Sequence, residues 1–237
     1  MNYNTTKFIN DLNTIGITLL DEQLQQFITY YEMLVEKNKV MNLTAITDFD
    51  EVLEKHFEDS LSLIQAVNLR KPQTVIDLGT GAGFPGIPLK IAFPELTVTL
   101  ADSLNKRILF LDDVIQELGL EGIETVHGRA EDLAKNEKYR EQFDLCVSRA
   151  VANLSTLSEY CLPFVKIGGK FVSYKAGECD EEVAASKSSV FLLGGKIMDI
   201  QKFDLGESRR AFVIIDKVGG TPKKYPRKAG TPSKDPL

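Results

Sequence analysis

Apolar residues recur at three- and four-residue steps through the first part of the chain. Phe8, Ile9 and Leu12 share one short face. From Asp21 onward Leu24, Phe27, Ile28, Tyr31, Leu34 and Val35 repeat at helical spacing, which predicts a long amphipathic helix. Two asparagines in Asn38-Lys39-Val40-Met41-Asn42-Leu43-Thr44 interrupt it. Asp48, with Glu51 three residues on, reads as a capping box opening a further helix through Val52, Leu53, Phe57, Leu61 and Ile64. Pro72 marks the joint. Residues 1–70 therefore read as a helical cap on the rest of the chain.

From Thr74 the pattern changes to short apolar runs alternating with helical stretches. Strands are expected at 74–78, 97–101, 123–127, 143–148 and 170–175, and helices at 86–93, 104–118, 153–164 and 180–192. That alternation predicts a parallel, doubly wound α/β sheet. The last pair differs. Lys196-Ile197-Met198-Asp199-Ile200 and Ala211-Phe212-Val213-Ile214-Ile215 flank Gly206-Glu207-Ser208, which suits a hairpin and places an antiparallel strand in the sheet. Five parallel strands ending in a hairpin favour the class I, Rossmann-like methyltransferase sheet over the dinucleotide-binding one. The methyltransferase domain is assigned 71–218, and 219–237 is a basic, proline- and glycine-rich tail.

The chemistry clusters at the strand ends. Val75-Ile76-Asp77-Leu78 runs directly into Gly79-Thr80-Gly81-Ala82-Gly83-Phe84-Pro85-Gly86. From Gly81 this run also fits G-x-G-x-x-G, a pattern weak on its own because glycine turns recur in many folds. Asp77 precedes the first glycine, where a carboxylate faces a cationic ligand end rather than a pyrophosphate. Pro85 removes an N–H that a phosphate cradle would want. Asp102 closes the second strand, where an acid accepts hydrogen bonds from a ribose diol. Ribose is common to NAD and S-adenosylmethionine; an acid beside the sulfonium and amino-acid end suits the second.

Gly128-Arg129-Ala130-Glu131-Asp132 follows the third strand, where the backbone N–H of Ala130 or Glu131 could meet an adenine nitrogen. A plain helix N-terminus with acids in its first turn accounts for the same residues. Ser148-Arg149-Ala150 ends the fourth strand. Arg149 there could contact cofactor, RNA phosphate or target base, or pair with a carboxylate such as Asp77. Lys175 ends the fifth strand, as a site residue or an ordinary solvated lysine. His56 and Asp59 fit a helix-surface hydrogen bond. Cys161 is separated from Pro163 by Leu162, which disfavours covalent pyrimidine chemistry.

Composition narrows this further. In 237 residues, 43% hydrophobic, there is room for one large domain or a main domain with a small one. The net charge of −6 leaves a nucleic-acid surface only as a local patch. The tail offers one: Lys223, Lys224, Arg227, Lys228 and Lys234 against Asp235, a local +4. Cys146, Cys161 and Cys179 lack C-x-x-C spacing, and no leader or apolar run near 20 residues is evident, which reads as reduced thiols in the cytoplasm. Two distant histidines give no metal constellation.

Taken together, Asp77–Gly86, Asp102-Ser103 with Lys106-Arg107, Gly128–Glu131, Ser148–Ala150, the Asn38–Thr44 segment and Tyr225-Pro226-Arg227-Lys228-Ala229-Gly230-Thr231-Pro232 resemble the glucose-inhibited division protein B family. These are the bacterial small-subunit ribosomal RNA guanine-N7 methyltransferases. The resemblance covers nearly the whole length, and the Gly-Phe-Pro-Gly loop and the tail are its specific parts. Two departures stand out: the chain has no tryptophan before Asn38, and Lys175-Ala176-Gly177 replaces an expected lysine–glycine. The resemblance implies methyl transfer from S-adenosylmethionine to a guanine N7 in 16S RNA or the 30S particle by a monomer without membrane attachment. It implies cofactor contacts at Asp77, Gly79, Gly81, Gly83, Phe84, Asp102, Ser103, Ala130, Glu131 and Arg149, with Arg149 also catalytic. RNA contacts would fall at Lys175, Arg227 and Lys228. Methylation of a protein or small molecule, or a non-catalytic cofactor- or RNA-binding module, are the alternatives; Asp77, Pro85 and the hairpin disfavour an NAD oxidoreductase.

Overall fold

A computed structural model of the chain describes residues 3–149 and 151–237. Two helices, α1 (Thr6–Thr14) and α2 (Asp21–Asn38), lead into a helical run of mixed pitch. That run begins as α3 (Phe49–Val52), widens into a π-helical turn over Leu53–Glu58, and continues through α4 (Asp59–Leu61) into a 3₁₀ turn at Ser62–Gln65. The Asp48 side chain caps α3 by accepting from the Glu51 N–H at 3.1 Å, which removes one orphan donor.

The remainder alternates as expected: β1 (Gln73–Leu78), α5 (Gly86–Ala92), β2 (Leu96–Asp102), α6 (Asn105–Glu117), β3 (Ile123–His127), α7 (Ala130–Leu133) and β4 (Phe143–Arg149). Then come α8 (Leu154–Cys161), a 3₁₀ turn at Leu162–Phe164, β5 (Val165–Ala176), α9 (Asp180–Ala185), α10 (Lys187–Leu192), β6 (Gly195–Leu205), β7 (Ser208–Lys217) and α11 (Thr231–Lys234). The helix expected across 180–192 is divided at Ser186. The hairpin strands extend well beyond their apolar centres because charged residues such as Lys202, Asp204 and Arg209 alternate outward along them.

Among the described residues seven strands form one sheet, in the order β3-β2-β1-β4-β5-β7-β6. The first five are mutually parallel, and β7 runs antiparallel to both β5 and β6. Every parallel strand therefore delivers its carboxyl end to the same edge, where open α/β sheets hold their ligands. Register aligns the candidate residues: Leu78 pairs with Ala101, Asp102 with His127, and Arg149 with Tyr174.

The amino-terminal helices share their core with one sheet face. Phe8, Leu12, Phe27, Tyr30, Leu34 and Phe57 pack in one buried cluster with Val75, Leu89, Val98, Leu145 and Phe212. On the other face, Ile76, Cys146, Leu157, Phe164, Phe171 and Tyr225 form a second cluster. Tyr225 belongs to 219–237, so that segment is folded onto the sheet rather than standing off as a solvated tail.

Candidate functional site

The glycine loop is held from two sides. Gly79 and Thr80 donate their N–H groups to the Ala101 carbonyl at 2.8 and 3.2 Å, and the Gly81 N–H donates to Asp102 Oδ2 at 3.0 Å. From the helical cap, the buried Tyr30 hydroxyl donates to the Ala82 carbonyl at 2.5 Å. Two glycines of the loop have different reasons for being glycine. Gly81 has φ +64°, and a Cβ there would meet nothing nearer than the Gly79 oxygen at 4.0 Å, so open space lies above it. Gly83 has φ +107°, and its Cβ would meet Ile87 and the Tyr30 hydroxyl, each at 2.6 Å. Gly83 therefore packs closely against α5 and α2, with no room for a side chain.

Asp77 is completely buried at the end of β1. Its Oδ2 accepts from the Thr80 hydroxyl at 2.6 Å and the Gly86 N–H at 2.8 Å. Its Oδ1 has no partner among the described residues. Burial raises the Asp77 carboxyl to about 6, against the opposing pull of these two hydrogen bonds and the Arg149 charge. An orphaned, buried carboxylate oxygen is the feature a cationic ligand group would satisfy.

A cavity of about 490 Å³ opens at this edge, lined by Leu78, Gly79, Ala101, Asp102, Ser103 and Arg107, the turn Gly128–Glu131, Val151, Tyr160, Gly230 and Ser233. Its size lies within the range of small-ligand sites. Asp102 faces it with its carboxylate nearly buried, held by the Gly81 and Leu104 N–H groups and by Arg107 Nη1 at 3.0, 2.8 and 3.2 Å. Asp102 thus fixes the glycine loop as well as presenting an acceptor. An adenosine fits this lining, with an acid beside a ribose position and the turn after β3 for a base; Asp77 lies behind the glycine loop and is not among the lining residues.

Arg149 does not pair with Asp77. Its Nη1 donates to Asp59 Oδ2 at 2.7 Å, and Arg210 Nε donates to Asp59 Oδ1 at 3.0 Å. The guanidinium lies over the Phe84 ring at 5.1 Å, a cation–π contact. The Phe84 ring is itself buried against His56, with centroids 4.6 Å apart, and lines neither cavity. These groups wall a second cavity of about 390 Å³, bounded by Lys55, His56, Asp59, Arg149, Tyr174, Lys175, Phe203, Arg210 and Phe212. Burial and the Arg149 charge lower His56 to about 4, so its imidazole is neutral near pH 7. Nε2 of His56 is 2.8 Å from the Thr44 hydroxyl. Thr44 is held by Asn38, whose Oδ1 accepts the Leu43 and Thr44 N–H groups at 2.7 and 3.0 Å.

His56 and Asp59 are therefore site-lining residues, not a local surface pair. A π-helical turn, which often marks functional positions, was the missing signal; helical periodicity cannot reveal it. Lys175 is not solvated: its Nζ donates to Glu182 at 2.7 Å and to the Ala152 carbonyl at 3.1 Å. Arg227 turns inward to buried Glu159, with Nη2 at 2.7 Å from Oε2, so its guanidinium is not presented to a polyanion. Lys228 is exposed. Ala150, named with Ser148 and Arg149, lies outside the described residues. Among the described residues no group of His, Cys, Asp and Glu is arranged to hold a metal ion, and no helix is long and apolar enough to cross a membrane.

The model of the family described as "GidB: rRNA small subunit methyltransferase G" matches residues 23–212. The chain belongs to this family. Similar relatives include "Ribosomal RNA small subunit methyltransferase G" of Exiguobacterium sp. (strain ATCC BAA-1283 / AT1b), 54% identical and covering 99% of both chains. The protein of the same name from Alkaliphilus metalliredigens (strain QYMF) is 52% identical over 94% of each. Solved structures share the fold of this GidB-family chain at low identity. A SAM-dependent methyltransferase from Aquifex aeolicus aligns at TM-score 0.52 and 19% identity, covering 70% of this chain and 94% of its own. M. jannaschii TYW2 in complex with AdoMet aligns at TM-score 0.55 and 13% identity, covering 69% and 76%.

Proposed function

We propose that the chain transfers the methyl group of S-adenosylmethionine to N7 of a guanine in 16S ribosomal RNA, acting in the cytoplasm on the RNA or the 30S particle. One observation carries the reading. Arg149, the last residue of β4, lines the smaller cavity and Val151 lines the larger, so the stretch at the end of β4 contributes to both. Ser148, whose hydroxyl donates to the Leu78 carbonyl at 2.7 Å, ties that stretch to the end of β1. A cofactor in one cavity and a base in the other is the arrangement a group transfer needs.

When bound, S-adenosylmethionine supplies an electrophilic methyl on a sulfonium. The chain's own residues bind and orient. Asp77 receives the cationic amino-acid end, Asp102 and Ser103 the ribose, and the Ala130–Glu131 turn the adenine. In the smaller cavity Arg149 and Arg210, held by Asp59, present donors suited to the O6 acceptor edge of guanine, and Phe203 offers a ring for stacking. Guanine N7 carries an in-plane lone pair and needs no deprotonation, so no general base is required. That agrees with His56 being occupied by Thr44 and Arg149, and Asp59 by two arginines. Positioning of two bound reactants can supply up to roughly 7–11 kcal/mol of barrier reduction. The test is methyl incorporation from labelled S-adenosylmethionine into 16S RNA, assembled small subunits and unrelated small acceptors side by side. Incorporation into RNA or subunits alone is expected; labelling only of a small acceptor would overturn the assignment.

A further inference from the structure

The carboxyl-terminal segment is basic in composition, but its inward face makes the contacts. Arg227 grips fully buried Glu159 of α8 through its backbone N–H at 2.7 Å, Nε at 3.0 Å and Nη2 at 2.7 Å. The same Nη2 donates to the Asp235 carbonyl at 2.7 Å, folding the end of the chain back. From α8, Thr156 donates to the Pro232 carbonyl at 2.9 Å and Ser155 to the Leu237 carbonyl at 2.6 Å. Arg140 donates to the carbonyls of Thr221 and Tyr225 at 2.8 and 3.0 Å.

These anchors bring Gly230 and Ser233 to the larger cavity. There the Gly230 N–H donates to Glu131 Oε1 at 2.8 Å, the Ser233 hydroxyl donates back to the Gly230 carbonyl at 3.2 Å, and Tyr160 of α8 lines the same cavity. Glu131 is nearly buried in the first turn of α7. Its carboxylate therefore holds the segment while its backbone belongs to the turn beside the base position. The contact at Glu131 lies just after the end of β3, where the base of an adenosine is expected. Asp77, at the amino-acid end, does not line this cavity.

We infer that residues 225–237 form a strap that is one wall of the adenosine end of the cofactor cavity, with Ser233 facing the bound nucleoside. Glu131 and the Arg227–Glu159 pair act as positioning residues that seat the strap. This rests on the larger cavity being the S-adenosylmethionine site. Because both the strap and the cofactor use the same wall, seating and binding are reciprocally linked: a ligand that contacts the strap must also hold it down.

The test uses full-length protein and S-adenosylhomocysteine. Ser233 is exposed on the strap, so Ser233→Trp projects a large ring into the cavity without disturbing a core. Calorimetric affinity of Ser233→Trp is expected to fall tenfold or more with the ligand-free melting temperature unchanged. KM for S-adenosylmethionine rises while KM for RNA does not. In the parent protein, ligand is expected to slow amide hydrogen exchange across 227–235. Asp102→Ala, on the opposite side of the assignment, is expected to lose affinity as well. If Asp102→Ala loses affinity while Ser233→Trp binds like the parent and strap exchange is unaffected by ligand, the strap inference is wrong and the cavity assignment stands. If both variants bind like the parent, the cavity is not the cofactor site and both readings fall. Should Ser233→Trp fail to fold, the exchange of the parent protein decides the inference alone.

Discussion

Asp77 has two opposite pH signatures, because its Oδ1 is unpartnered among the described residues and burial raises its carboxyl to about 6. A cationic ligand favours the ionised form, so cofactor affinity should rise as pH passes upward through about 6 and then level off. Stability of the free protein should run the other way. The folded carboxyl lies above its ordinary value of 3.8, so the folded state binds the extra proton in between and Asp77's contribution is lost as pH climbs from 3.8 to 6. Calorimetry from pH 5 to 8 and thermal melts from about pH 3.5 to 7, with Asp77→Asn as reference, check both; a pH-independent affinity difference between parent and variant would remove Asp77 from the cofactor. Gly81 supplies a second test. Its φ of +64° strains any side chain, while its Cβ position is open. Gly81→Val should cost about 1–2 kcal/mol of stability from the left-handed backbone and abolish measurable cofactor binding. A variant that melts lower but binds normally would make the loop purely structural.

At the scale of elements, what sequence could reveal depends on where each signal resides. The change of period from helix to alternating strands is local, and β1 through β5 and the closing hairpin emerged close to their expected places. The loop between β1 and α5 and the acid ending β2 are local too. Hidden were contacts whose partners are distant in sequence: Arg149 with Asp59, His56 with Thr44, and Gly83 with Tyr30. The tail misled for a related reason. A net charge counted along the chain says nothing of direction, and Glu159, which turns Arg227 inward, sits inside a helix of otherwise small and apolar residues. Removing one partner of such a pair should be costly: Arg227→Ala leaves the buried Glu159 carboxylate with only the residue-227 backbone N–H, at a cost of about 2–4 kcal/mol. Adding Glu159→Gln should recover part of that loss in a double-mutant cycle, read by urea denaturation. Full additivity would mean the pair contributes no coupling.

The whole molecule is acidic, at −6, yet concentrates basic side chains in 219–237. With Arg227 occupied, exposed Lys228 and its neighbours Lys223, Lys224 and Lys234 are the groups free to meet phosphate. The strap thus has two sides, one on the cofactor cavity and one toward solvent. Lys228→Ala should reduce the salt dependence of RNA affinity by about one unit of slope and leave cofactor affinity alone. Titrations at several salt concentrations check this; an unaltered slope would take Lys228 out of the RNA surface. The shared core of cap helices and sheet adds a further whole-molecule feature. Tyr30 on α2 holds the glycine loop, so the helical cap sets the shape of the site from behind.

The chemical identity of the methylated nucleoside decides between N7 transfer and every other methylation. The protein is incubated with 16S RNA or assembled small subunits and labelled S-adenosylmethionine, and the digested RNA is analysed by mass spectrometry. Label is expected in 7-methylguanosine at one position, reduced when Asp77 or Arg149 is replaced. Label in a nucleoside methylated on carbon or on ribose, or no transfer by protein that binds the cofactor, would contradict N7 transfer.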